Sequence, residues 1–168
     1  MLNNELLIIK TAIINEAESM EFYKMAADRA EVADVKAAFL ELSAEEELHM
    51  NWLKEIYKSL AHNAENNTGF SFEHFSKASD KKSAGMLKLS NKALASATIS
   101  VAVYGIAIHM EEAAVEFYQK LAAETSVPLL QTLCENLAEW EKGHVEQFSS
   151  VYETMMNSWW DEQGFSPY

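Results

Sequence analysis

The sequence predicts an all-α protein: a four-helix bundle of two repeated antiparallel helix hairpins joined by a long crossover connection. Three observations carry the prediction. Apolar residues recur at alternating steps of three and four along four long stretches, the period of helices with one buried face. Only two prolines and five glycines occur in 168 residues, so those stretches can run unbroken. The second pair of stretches also repeats the first. A constant shift of 95 residues lays 12–57 on 107–152 without a gap, with 12 identities in 46 positions. Composition alone would give about one identity in sixteen, so an internal duplication explains the match.

The first helix is expected over 2–30, with a stripe of Leu2, Leu6, Ile9, Ile13, Glu16, Met20, Tyr23 and Ala27. Asp34, a good N-cap residue, opens a second over 34–60, striped by Val35, Phe39, Leu42, Glu46, His49, Leu53 and Ile56. Over 61–89 the pattern fails: asparagine, serine and glycine accumulate, with Phe70, Phe72 and Phe75 as local anchors. So long a loop is unusual in a compact domain, and a crossover between the ends of a bundle accounts for it. A short helix is expected within it, around 72–79. The third helix is expected over 90–125, carrying Leu94, Val101, Tyr104, Ile108, Glu111, Val115, Tyr118 and Ala122. Ser126 caps a fourth over 127–156, with Pro128 in the first turn, where a missing N–H costs nothing. Its stripe is Leu130, Cys134, Leu137, Glu141, His144, Phe148, Val151 and Met155. Residues 157–168, with Trp159, Trp160, Phe165 and Tyr168, read as an irregular aromatic tail. Short links within each pair and a long one between them are those of the ferritin-like bundle, here one domain over 1–156.

Composition removes several functions. A net charge of −13 disfavours nucleic acid and anionic membranes as partners, since both select basic patches. The most apolar run, 99–110, is too short to span a bilayer and contains Tyr104 and His109. No basic leader with a cleavage site opens the chain, so a cytoplasmic location is the default expectation. The single cysteine, Cys134, allows neither an intrachain disulfide nor a CxxC pair, which leaves no rubredoxin-type iron centre.

Six charged or polar residues stand on the apolar stripes. Glu16 falls between Ile13 and Met20, and Glu111 between Ile108 and Val115. Glu46 and His49 fall between Leu42 and Leu53, and Glu141 and His144 between Leu137 and Phe148. An isolated buried carboxylate costs several kcal/mol or takes up a proton, and four together repel one another. No lysine or arginine shares these stripes near them. Two divalent ions would balance four carboxylates, and residues three apart in a helix can offer an oxygen and a ring nitrogen to one ion. One Glu from each of two helices plus Glu-x-x-His from each of the other two is the ligand pattern of di-iron carboxylate bundles. Mixed oxygen and imidazole donors suit iron or manganese, and zinc also fits.

Tyr23 and Tyr118 lie two turns beyond Glu16 and Glu111. Their hydroxyls are placed to hydrogen-bond a ligand carboxylate, or their rings simply pack. Tyr57 and Tyr152 read as packing residues, and His62, His74 and His109 as surface histidines. Glu45, Glu47 and Glu112 read as solvated neighbours of the ligands, and Cys134 as a small buried hydrophobe.

The strings NEAESMEFYKMAA, LSAEEELHMNWL, HMEEAAVEFYQKLAA and LAEWEKGHVEQF resemble the rubrerythrin-like branch of the ferritin-like superfamily over roughly 5–156. The resemblance implies a non-haem di-iron centre with Glu46 and Glu141 bridging and Glu16, His49, Glu111 and His144 terminal. It also implies a peroxidase or ferroxidase type of oxidoreductase reacting with hydrogen peroxide or dioxygen. The chain departs from rubrerythrins in lacking a four-cysteine rubredoxin domain. It also lacks their additional glutamate one turn along the third helix, where Ile108 and Ala114 flank the ligand. An external electron donor, such as a rubredoxin-like protein, is therefore expected. Non-catalytic iron binding or storage is the alternative, and the tryptophans of the tail suggest a homodimer.

Overall fold

The computed structural model describes residues 2–31, 33–63 and 97–164. They form four helices: α1 (Leu2–Arg29), α2 (Ala33–Asn63), α3 (Ala97–Glu124) and α4 (Pro128–Glu162). No strand occurs among the described residues, and none of their helices is long and apolar enough to cross a membrane. The main packing is α1 on α2 and α3 on α4. Both pairs are antiparallel hairpins. Near the α1–α2 turn Tyr23 stacks on Phe39, and at the other end Ile9 and Ile56 share one cluster. The bundle is thus the ferritin-like one that the repeat and the stripes predict.

Several boundaries differ from expectation. Asp34 lies within the first turn of α2, which already begins at Ala33. At α4 the N-cap position falls on Val127, without a side-chain capping bond, and Pro128 stands at the start of the helix. Ser126 is engaged elsewhere: its N–H and hydroxyl both donate to Glu5 Oε1, each at 3.1 Å. Thr125 Oγ1 donates to the same oxygen at 3.2 Å. A side-chain acceptor from α1 thus ties the α3–α4 turn to the first turn of α1. α4 also continues to Glu162, so residues 157–162, expected to be irregular, are helical. Nothing in that stretch breaks a helix. The first breaker is Gly164, whose φ of 73° ends it just beyond a C-cap at Gln163. Trp159 and Trp160 stand edge to face within this last part of α4. The short helix expected at 72–79, the start of the third helix at 90–96, and Phe165 and Tyr168 lie outside the described residues.

Among the described residues the core is divided in two. One cluster gathers Ile9, Leu53, Ile56, Leu121, Leu130 and Leu137, from the start of α1 and α4 and the end of α2 and α3. The other gathers Tyr23, Phe39, Tyr104, Phe148 and Met155 from the opposite ends. Between them lie the six polar residues of the stripes, all buried. The duplication appears in space as an approximate two-fold relation: Tyr23 bonds Glu111, and Tyr118, its repeat partner, bonds Glu16. The same exchange of i with i+95 across an axis describes an interface between two like halves.

Leu53 is fully buried in the first cluster, whereas Leu7 is 61% exposed. Leu53→Ala is expected to cost about 2–5 kcal/mol by denaturant unfolding, and Leu7→Ala within about 0.5 kcal/mol of zero. Equal costs would mean that the core does not lie where these clusters place it.

Candidate metal centre

The period of each helix aims the polar residues inward, and antiparallel pairing brings them to one level of the bundle. Glu16 comes from the middle of α1, Glu46 and His49 from α2, Glu111 from α3, and Glu141 and His144 from α4. All six are at most 3% exposed. Both histidines turn Nδ1 toward the carboxylates. His49 Nδ1 lies 3.2 Å from Glu46 Oε2, 3.2 Å from Glu141 Oε1 and 3.6 Å from Glu16 Oε2. His144 Nδ1 lies 3.0 Å from Glu141 Oε2, 3.8 Å from Glu46 Oε1 and 3.9 Å from Glu111 Oε1.

These residues make two overlapping donor groups whose ligand atoms lie within 4.8 Å of one another: Glu16, Glu46, His49 and Glu141, and Glu46, Glu111, Glu141 and His144. Glu46 and Glu141 belong to both. Glu46 Oε1 is buried with no hydrogen-bond partner among the described residues, and Glu141 Oε1 has only His49 Nδ1 near it, at 3.2 Å. A buried carboxylate oxygen without a donor is costly, and a cation among these groups would satisfy it. The donor set therefore fits a metal centre, and its oxygen and imidazole chemistry suits first-row ions.

In the metal-free protein, protons carry the missing positive charge. Burial, then repulsion from Glu141, holds Glu46 well above the ordinary carboxylate range, with His49 opposing. Burial and Glu141 raise Glu111 in the same way. Burial acts to lower His49, but Glu141, Glu16 and Glu46 outweigh it and raise the imidazole. His144 is raised likewise by Glu141, Glu45 and Glu111 against the effect of burial. Burial alone would raise Glu141, yet the two histidines hold it below the usual range.

Tyr23 donates its hydroxyl proton to Glu111 Oε1, and Tyr118 donates to Glu16 Oε1. Burial, then the charge of the bonded glutamate, raises both phenols, so both remain donors. These bonds fix the carboxylates that α1 and α3 contribute, each from the helix opposite. A partly open cavity of about 380 Å³ reaches the four glutamates between α1 and α3. Asn15, Glu18 and Ser19 give it a polar α1 wall, and Met110, Ala113 and Phe117 an apolar α3 wall. Neither histidine lines it, so the open approach is from the carboxylate side.

The remaining sequence candidates fall outside the centre. His109 is 84% exposed and pairs with Glu112, His62 is exposed near the end of α2, and His74 lies outside the described residues. Tyr57 and Tyr152 are half-buried packing residues. Cys134 is buried in the first cluster, and burial pushes its thiol up to about 12, as suits an inert packing residue. Glu45 is the correction. Expected to be merely solvated, its Oε2 instead lies 2.9 Å from His144 Nε2. Only the spatial crossing of α2 and α4 brings it there. A clue was present, however: the repeat places Trp140 opposite Glu45, a departure beside a matched ligand.

A family model described as Rubrerythrin matches residues 8–152, a span that includes all six residues of the centre. No curated protein and no solved structure matches the chain.

Glu46, Glu111, His49 and His144 each hold a proton in the folded metal-free protein at pH values where the unfolded chain has released it. Folding then takes up protons, so metal-free stability falls as pH rises above the ordinary carboxylate value near 4.5. Glu141 has the opposite sign, and its contribution disappears only as pH falls through its depressed folded value. Metal binding needs the same groups deprotonated, so metal stabilisation grows with pH. The melting midpoint of chelator-treated protein should fall between about pH 5 and pH 8, and the increase in midpoint on metal loading should widen. A metal-free midpoint that rises over that window contradicts this charge assignment.

Proposed function

The chain belongs to the rubrerythrin family, and from that premise we propose that it is a non-haem di-iron oxidoreductase. It reduces hydrogen peroxide or dioxygen with electrons from an external donor, a small rubredoxin-like protein being the natural class. The observation that supports this reading best is Glu46 Oε1, a buried oxygen without a hydrogen-bond partner among the described residues, on a carboxylate shared by two donor groups beside an open cavity. When bound, an iron pair supplies two electrons across an O–O bond and an open coordination position for the oxidant.

The chain's own residues divide the remaining work. Glu46 and Glu141, shared by both donor groups, would hold both ions, while Glu16 with His49 and Glu111 with His144 would complete each end. Four carboxylates against two divalent ions leave the buried site neutral. Tyr23 and Tyr118 hold Glu111 and Glu16 in place by donating from Oη, and each keeps its proton because its phenol is raised. The apolar clusters on either side exclude bulk water, which strengthens every charge interaction within the site. The α1–α3 cavity admits a small oxidant on the carboxylate side, opposite the histidines.

Anaerobic stopped-flow mixing of the ferrous-loaded protein with peroxide tests the proposal, and separately with dioxygen. Iron oxidation is expected to outpace that of free ferrous ion in the same buffer with at least one oxidant, and equal rates with both would overturn it. Glu46→Ala should abolish the fast phase. Tyr23→Phe and Tyr118→Phe should each slow it by about 10–100-fold, the usual cost of removing a hydrogen bond to a ligand. Full-rate oxidation in both phenylalanine variants would remove the tyrosines from the mechanism.

A further inference from the structure

The duplication makes the two ends of the centre nearly alike, so the places where they differ carry information. Glutamate, histidine and tyrosine match at 16/111, 46/141, 49/144 and 23/118. Several positions beside the histidines do not, and two of them set the ends apart in charge and in indoles: Glu45 corresponds to Trp140, and Trp52 to Gln147. Because α2 and α4 run antiparallel at this level, both indoles gather at the His49 end and Glu45 falls at the His144 end.

At the His49 end, Trp52 and Trp140 stack with ring centroids 5.1 Å apart and planes 22° from parallel. Both indoles lie against the imidazole, 5.5 Å and 5.3 Å from its centroid. Among the described residues, the carboxylates within 4 Å of His49 (Glu16, Glu46 and Glu141) all approach its Nδ1. At the His144 end a carboxylate replaces the indole. Glu45 Oε2 is 2.9 Å from Nε2 of a fully buried ring, while the Glu45 side chain itself is 38% exposed. With Nδ1 facing the donor group, Nε2 keeps its hydrogen and donates to Glu45. A charged acceptor there fixes the tautomer, holds the ring plane and raises the basicity of the ligating nitrogen. Packed indoles hold a ring in place but add no negative charge.

We propose that Glu45 is a positioning residue that makes the His144 end the tighter, first-filled metal position, leaving the His49 end, clamped by Trp52 and Trp140, the weaker. The inference rests on the reading of the centre as a two-ion site. Loading is then ordered: one ion settles against His144, and the second completes the pair.

Titrating the chelator-treated full chain with cobalt(II) under anaerobic conditions tests this, followed by calorimetry and by the visible spectrum of the bound ion. Two resolved steps are expected. Glu45→Ala should weaken the first by about 10–100-fold and leave the second in place, so that the steps converge. Glu45→Gln, which keeps an oxygen acceptor without the charge, should recover part of the loss. Trp140→Glu, which restores the repeat, should tighten the second step. Two ions binding with indistinguishable affinity, or Glu45→Ala weakening both steps equally or neither, would overturn the proposal and leave the two-ion reading intact. Fewer than two ions bound to the unaltered chain would instead overturn that reading and this inference together.

Discussion

Four carboxylates buried at one level of a helical bundle need positive charge among them, and the rest of the structure is arranged around that requirement. Glu16, Glu46, Glu111 and Glu141 are each at most 3% exposed, and no lysine or arginine reaches them among the described residues. Their mutual repulsion forces either proton uptake or metal binding. The apolar core is therefore split into two clusters with the polar layer between them. Two tyrosines cross that layer to hold the outer carboxylates, so the site is braced by the hairpin opposite each ligand. Structure and chemistry meet in this arrangement, because the groups that weaken the metal-free fold are the ones that would hold the ions.

Much of this was legible in the sequence because its cause is periodic. A buried helix face repeats every three or four residues, so Glu16 and Glu111 announce themselves by interrupting Ile13–Met20 and Ile108–Val115. The duplication showed in addition that the interruptions form a set. Features set by contacts between distant segments could not be read in this way. Ser126 has the right chemistry for a cap but bonds Glu5, more than a hundred residues away. The end of α4 was misplaced for a different reason. An aromatic composition suggested irregularity, but aromatic residues continue a helix, and only Gly164 ends it. Glu45 was misread because a helix projection places it beside the stripe, and only the crossing of α2 over α4 brings it to His144.

The two-fold relation also separates what function constrains from what it leaves free. The buried glutamates and histidines and the tyrosines that brace them are matched between the halves, while their neighbours have diverged into an indole pair at one histidine and a carboxylate at the other. Divergence extends to the approach. The α1 wall of the cavity is polar and the α3 wall apolar, although the two helices carry the same ligand and the same tyrosine. A duplicated hairpin thus supplies two like donor groups inside an asymmetric protein environment. Such an environment can give two identical ligand sets different affinities and a preferred direction of access.

Anomalous scattering from crystals grown with iron or manganese decides whether a pair of ions neutralises the buried carboxylates. Two peaks are expected in the middle of the bundle, one beside His49 and one beside His144, with Glu46 and Glu141 touching both. A single central peak, or ions bound only at the acidic surface, would contradict that expectation.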